Sequence, residues 1–175
     1  LIKRLKVQEI VIGYDHAFGK NREGNINYLK GLSAQTGGLI TQIPEESIQG
    51  EIISSTKVRS EIEKGNMEKV TLLLGRNYSL TGKVIKGAGR GGSLLGFPTA
   101  NLKINNPLKI LPPDGVYAVK TILPDGTIKA GMLNIGTNPT FNLSEKSIEM
   151  HILDYRGDLY GQELTLLFYE RIRDE

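Results

Sequence analysis

The densest cluster of chemistry-bearing residues runs from Gly82 to Asn101. Five glycines fall between Gly87 and Gly96 (Gly87, Gly89, Gly91, Gly92 and Gly96), with Lys86 and Arg90 among them. Glycine has no Cβ, so it allows positive φ and lets backbone N–H groups close around an anion. Glycines with two cations describe a cradle for phosphate. No Gly-Lys-Ser/Thr closes it, so it is not a Walker loop. Pro98-Thr99-Ala100-Asn101 follows directly. Thr99 and Asn101 stand two apart, so in an extended segment both side chains face one side and both offer neutral oxygens. A hard cation such as Mg²⁺ accepts such oxygens and takes its remaining ligands from water and nucleotide phosphates. On residue types alone, a plain hairpin loop followed by ordinary turn bonds fits the same stretch.

Two kinds of element must position these residues. Before Gly75 the chain reads as strand (Glu9–Gly13), polar loop (Tyr14 to Asn25), helix (Ile26 to Ala34), strand (Leu39–Ile43, stopped by Pro44) and a helix opened by Ser54-Ser55-Thr56. Hydroxyls at a helix start accept from free backbone N–H groups. Val58, Ile62, Met67, Val70, Leu73 and Leu74 keep helical spacing, and Gly65-Asn66 breaks it into two helices. This is α/β grammar. After Gly75 come strands at Tyr78–Ile85, Val116–Ile122, Ile128–Ile135, Ile148–Leu153 and Leu164–Phe168, with a hairpin turn at Pro124-Asp125-Gly126. Such spacing predicts a compact antiparallel barrel, with a domain boundary at 76/77. The expected domains are therefore 1–76 (α/β) and 77–175 (all-β).

Composition narrows the field. The chain has 175 residues, 39% hydrophobic and 23% charged, with a net charge of +3, which is ordinary for a globular protein. It has no cysteine, which excludes disulfides, zinc-thiolate sites and a cysteine nucleophile, and permits a reducing cytoplasm. No apolar run approaches the roughly 20 residues that span a bilayer. Aromatics are sparse at 6% and do not interleave with Lys86, Arg90 and Lys103, so a base-stacking platform for nucleic acid is not expected. A non-catalytic β-barrel module that binds nucleotide or RNA is the alternative to an enzyme. The chain starts at Leu1 and reads as an internal piece of something longer.

Gly-Phe-Pro-Thr-Ala-Asn after the glycine loop resembles the riboflavin kinase family. The resemblance continues through Asp114-Gly115-Val116-Tyr117-Ala118-Val119, Asn134-Ile135-Gly136-Thr137-Asn138-Pro139-Thr140-Phe141, Ile148-Glu149-Met150-His151-Ile152-Leu153-Asp154, Leu159-Tyr160-Gly161 and Arg171-Ile172-Arg173. It implies a six-stranded antiparallel barrel that phosphorylates riboflavin to FMN with ATP and Mg²⁺. Thr99 and Asn101 would hold the metal with the ATP phosphates. Gly87, Gly89, Arg90, Gly91, Gly96 and Pro98 would wrap the phosphates. Glu149 matches the family's catalytic base. From alternation alone, Glu149 shares a strand face with His151 and Leu153, opposite Ile148, Met150 and Ile152, and an exposed carboxylate is the usual outcome there. His151 is expected to make a structural bond, and Asp154 and Asp158 to serve turns.

Gly13-Tyr14-Asp15-His16-Ala17-Phe18-Gly19 and Ser54-Ser55-Thr56-Lys57-Val58-Arg59 resemble the FMN adenylyltransferase module that precedes riboflavin kinase in bacterial FAD synthetases. The resemblance implies the later half of a Rossmann-like nucleotidyltransferase domain, with Asp15, Phe18, Gly19, Ser54, Ser55, Thr56 and Arg59 as its site residues. A helix start with hydroxyls and an arginine one turn on is also a physical anion site. The module's His-x-Gly-His motif is absent, since His16 and His151 are the two histidines. The family's closing helix after the barrel is not expected within these residues either.

Overall fold

The computed structural model describes residues 6–86, 99–137 and 146–174. The chain divides into two compact units, Leu1–Ile53 and Ser54–Glu175.

In the first unit, β1 (Glu9–Gly13) and β2 (Leu39–Ile43) pair in parallel, with Ile10 beside Ile40 and Ile12 beside Gln42. Parallel neighbours need a crossover, and α1 (Ile26–Thr36) provides it. Asn25 caps α1 by accepting from the N–H groups of Asn27 and Tyr28, and Gly37 ends it in the left-handed region at φ 71°. A two-strand ribbon, β3 (Ser47–Ile48) with β4 (Glu51–Ile52), follows. The sequence pattern does not reveal it, because two-residue strands carry no periodicity.

In the second unit, α2 (Ser55–Lys64) and α3 (Met67–Leu74) precede the barrel. Ser54 caps α2 through its Oγ, which accepts from the Lys57 N–H at 3.2 Å, and Gly65 ends it at φ 79°. Ile62, Met67 and Val70 belong to the same buried cluster as the barrel interior. The strand grammar begins at 76/77, while the spatial division lies at 53/54 because these helices cover the barrel.

The barrel strands are β5 (Ser79–Ile85), β6 (Ala100–Ile104), β7 (Gly115–Ile122), β8 (Ile128–Thr137), β9 (Lys146–Ile152) and β10 (Glu163–Arg173). They close in the order β10-β5-β6-β9-β8-β7, each neighbouring pair antiparallel. The architecture is thus α/β followed by an all-β six-stranded antiparallel barrel. Strand β6 is not expected from the sequence pattern, and its short run beside Pro98 explains why. Leu80, Leu133, Ile135, Met150, Leu164, Leu166, Phe168 and Tyr117 fill the interior, essentially without solvent exposure. Tyr117 donates its hydroxyl to the Pro113 carbonyl at 2.6 Å and Tyr78 to that of Ile110 at 2.8 Å, and burial raises both phenol pKa values. Tyr160 is exposed at a turn where Asp158 accepts from its N–H.

Candidate active site

Ladder register decides which side chains meet. Residues directly opposite in an antiparallel pair point to the same face, with Cβ atoms about 4.5–5.5 Å apart. Ala100 pairs with Met150, Met150 with Leu133, and Leu133 with Tyr117. This row faces the interior. The next row therefore faces outward. It runs Ile85, Asn101, Glu149, Asn134, Val116 across β5, β6, β9, β8 and β7. Asn101 and Glu149 are thus direct cross-strand neighbours. Both are half-buried, as is Asn134 on the other side of Glu149. The alternation of β9 explains Glu149: Ile148, Met150 and Ile152 enter the core, so Glu149 and His151 cannot.

Thr99 stands immediately before β6, two residues from Asn101, and lines a cleft of about 800 Å³. The cleft reaches along β9 into the turn that holds Asp154, Tyr155 and Arg156. Asn101 and Glu149 lie beside this cleft rather than in its lining. Along the same outer face, Lys103 pairs with Lys83. Two exposed lysines directly opposite repel each other, and an anion nearby relieves that cost. Glu163, opposite Lys83 on the other side, already offsets part of it. Lys86 is exposed at the end of β5.

Among the described residues, no group of three or more His, Asp or Glu could hold a metal ion. Thr99 and Asn101 offer two neutral oxygens. That donor set fits Mg²⁺ that keeps waters and shares a nucleotide's phosphates, and it does not fit a cage made of protein alone. The expected cradle residues Gly87, Gly89, Arg90, Gly91, Gly96 and Pro98, and the motif residues Asn138 to Phe141, lie outside the described residues.

In the first unit, Phe18 and Gly24 exchange backbone bonds at 2.9 and 2.8 Å, pinching the loop between them. A Cβ on Gly24 would lie 2.4 Å from the Phe18 ring, so a larger residue there would have to displace that ring. His16 stacks on Phe18 at 6.2 Å between centroids, Gly19 takes φ 77°, and Asp15 is exposed. Ser54, Ser55, Thr56 and Arg59 belong to the other unit, where Arg59 Nη1 donates to Ser55 Oγ at 3.3 Å.

Sequence reasoning passes over Asn134 and the Lys83–Lys103 pair. Both are cross-strand relations, and they become visible only once partners and register are known.

The family model described as riboflavin kinase matches residues 74–175, and the one described as FAD synthetase matches residues 1–57. Curated relatives include the bifunctional riboflavin kinase/FMN adenylyltransferases of Haemophilus influenzae (34% identical, covering 100% of this chain and 56% of the relative) and Bacillus subtilis (37% identical, covering 98% and 54%). This chain thus spans about half the length of the curated relatives it matches. A crystal structure of a macrolide-efflux protein from Streptococcus pneumoniae superposes with a TM-score of 0.86 at 32% identity, over 99% of this chain and 55% of that one. Among the described residues, no helix is long and apolar enough to cross a membrane.

Proposed function

Because the chain belongs to the riboflavin kinase family, we propose that the parent protein transfers the γ-phosphoryl group of ATP to the ribityl 5′-hydroxyl of riboflavin, giving FMN and ADP. One observation carries this reading: the ladder sets Asn101 directly opposite Glu149 on the outer face of the barrel. A carboxylate and an oxygen ligand are then neighbours, as a reaction between an alcohol and a metal-bound triphosphate requires.

A primary alcohol is a poor nucleophile at neutral pH. Glu149 accepts its proton as the new O–P bond forms and the bond between the γ-phosphorus and the bridging oxygen breaks. The protein otherwise positions the reactants and neutralises charge on the transferred group. Thr99 and Asn101 hold Mg²⁺, which when bound neutralises phosphate charge. Gly87, Gly89, Arg90, Gly91, Gly96 and Pro98 wrap the phosphates, and Lys83, Lys86 and Lys103 add positive potential to this face. The cleft beside Thr99 has room for the nucleoside part of ATP. A cysteine-free chain that uses ATP suits the cytoplasm.

The FAD synthetase match over residues 1–57 supports a second activity of the parent, adenylylation of FMN to FAD. Asp15, Phe18 and Gly19 on the loop, and Ser54, Ser55, Thr56 and Arg59 at the start of α2, are its residues in this chain.

The test uses the full-length protein with riboflavin, ATP and Mg²⁺, and separates FMN by chromatography. Glu149→Gln is expected to keep Mg-ATP binding and lose about 10²–10⁴-fold in turnover. Near-normal FMN formation by that variant removes Glu149 as the base.

A further inference from the structure

The outward residues of β6 stand in a line. Thr99, just before the strand, lines the cleft. Asn101 follows on the same face, opposite Glu149, and then Lys103, with the buried Leu102 between them pointing inward. Successive outward positions on a strand lie about 6.6 Å apart. The order along this face is therefore cleft, metal ligands with the base, lysine. Lys103 is exposed, and its directly opposed neighbour on β5 is the exposed Lys83. Neither ammonium makes an ion pair or a hydrogen bond with a described residue. Glu163 faces Lys83 from β10, yet its Oε2 accepts from Asn105 Nδ2 at 2.8 Å. Lysines often guard an open sheet edge, but β5 and β6 lie within a closed barrel, so that role does not explain them. Like charges directly opposite are destabilising, and these two meet just beyond the rung of Asn101 and Glu149.

On this basis, and resting on the kinase reading above, we infer that Lys103 holds the γ-phosphoryl group of ATP. With the nucleoside in the cleft and the metal ligands Thr99 and Asn101 next on the face, the phosphate chain runs along β6 away from the cleft. Its γ end arrives where Lys103 can reach it. Lysine binds phosphate as a point charge on a flexible stem. Repulsion from Lys83 disfavours rotamers that lean toward β5, which leaves the Lys103 ammonium on the side of Asn101 and Glu149. There it neutralises the non-bridging oxygens while the bond from the γ-phosphorus to the bridging oxygen breaks and the bond to the riboflavin oxygen forms. ADP has no γ-phosphoryl group, so Lys103 also sets the preference of the site for ATP, and product ADP leaves without that contact.

The experiment compares Lys103→Ala with wild type in the full-length protein. Nucleotide binding is read by calorimetry in Mg²⁺ without riboflavin, so no phosphoryl transfer occurs. The change between wild type and variant reports the barrel site, where Lys103 lies. Loss of a charge-assisted contact is expected to weaken Mg-ATP about 10-fold and to leave Mg-ADP within about twofold. With riboflavin added, kcat is expected to fall about 10-fold or more. Lys83→Ala makes the same charge change one strand further from Glu149. It is expected to shift Mg-ATP and Mg-ADP alike, by less than about threefold. Equal weakening of both nucleotides in Lys103→Ala, which a general positive potential would give, overturns the inference, and so does no weakening of either. An ATP preference lost in Lys83→Ala and kept in Lys103→Ala overturns the assignment to Lys103. Wild type that binds both nucleotides without forming FMN removes the kinase reading, and the comparison of ATP with ADP then still decides the γ-phosphoryl contact, so the two failures are distinguishable.

Discussion

Gly131→Ala tests whether the β8–β9 ladder is as tightly packed as its register implies. A Cβ at Gly131 would lie 2.3 Å from the Met150 methyl and 2.4 Å from the His151 carbonyl oxygen. The methyl ends a flexible side chain and can swing away. The carbonyl cannot, because it belongs to the ladder in which Met132 faces His151 and Gly131 faces Ile152. A carbon against a carbonyl oxygen sits at about 3.3 Å or more, so the strands must part by roughly 0.9 Å. Overpacking of this kind costs about 1–3 kcal/mol. The alanine also narrows the unfolded ensemble, which returns about 0.4–1 kcal/mol. At the centre of these ranges the net loss is about 1.3 kcal/mol, a fall in Tm of roughly 4–8 °C for a unit of this size. Scanning calorimetry reads it. Gly31→Ala is the control, since that glycine lies inside α1 and a Cβ there would meet nothing within 4 Å. The same substitution at Gly31 is expected to stabilise by about 1 kcal/mol. An unchanged or raised Tm for Gly131→Ala would refute the claim that this ladder cannot give.

Glu61 is buried and accepts from Asn66 Nδ2 at 2.7 Å and Lys64 Nζ at 3.0 Å, bonds that hold its pKa below the ordinary 4.5. A lowered native pKa stabilises above the ordinary value, and that contribution is lost as pH falls through the native one. Glu61→Gln is therefore expected to be less stable than wild type at pH 7, with the gap closing below pH 4.5 in urea melts. Arg171 donates to the Asp114 carbonyl, and its side chain runs past Gly65, where a Cβ would meet the Arg171 Cδ at 2.8 Å. Arg171→Ala should cost about 1–3 kcal/mol and speed amide exchange at the α2–α3 turn. Its ion pair with Asp174 contributes little, since Asp174 is exposed. Thr99→Ala and Asn101→Ala are expected to raise the Mg²⁺ concentration needed for nucleotide binding by calorimetry, and an unchanged requirement in both counts against the ligand assignment.

Much of this was legible in the residues. Ile148, Met150 and Ile152 announce a core face, so the outward position of Glu149 follows from parity. Ser54 and Gly65 mark the ends of α2 with a cap and a left-handed residue. Pro124-Asp125-Gly126 forms its turn, with Leu123 and Thr127 bonded across it and Asp125 accepting from the Thr127 N–H, a bond that lowers the Asp125 pKa. What stayed hidden was relational. Nothing in Asn134 or its sequence neighbours says that β8 will lie beside β9 with Asn134 against Glu149. Nothing in Ser54 to Leu74 says that these helices will share a core with strands that follow them. Hydrophobic periodicity fixes which way a side chain points, and pairing between distant segments fixes what it meets.

That distinction carries a consequence for how the site is held. The outward pair Asn101 and Glu149 and the core pair Ala100 and Met150 are adjacent rungs of the same β6–β9 ladder. A slip of one residue in β9 would place Glu149 inside the barrel and turn Met150 out to solvent. Burying an unpaired carboxylate costs several kcal/mol or forces its protonation, and the exposed methionine forfeits about 1.5–3 kcal/mol more. The hydrophobic core therefore opposes any one-residue slip, and with it the loss of Glu149 from the outer face it shares with Asn101.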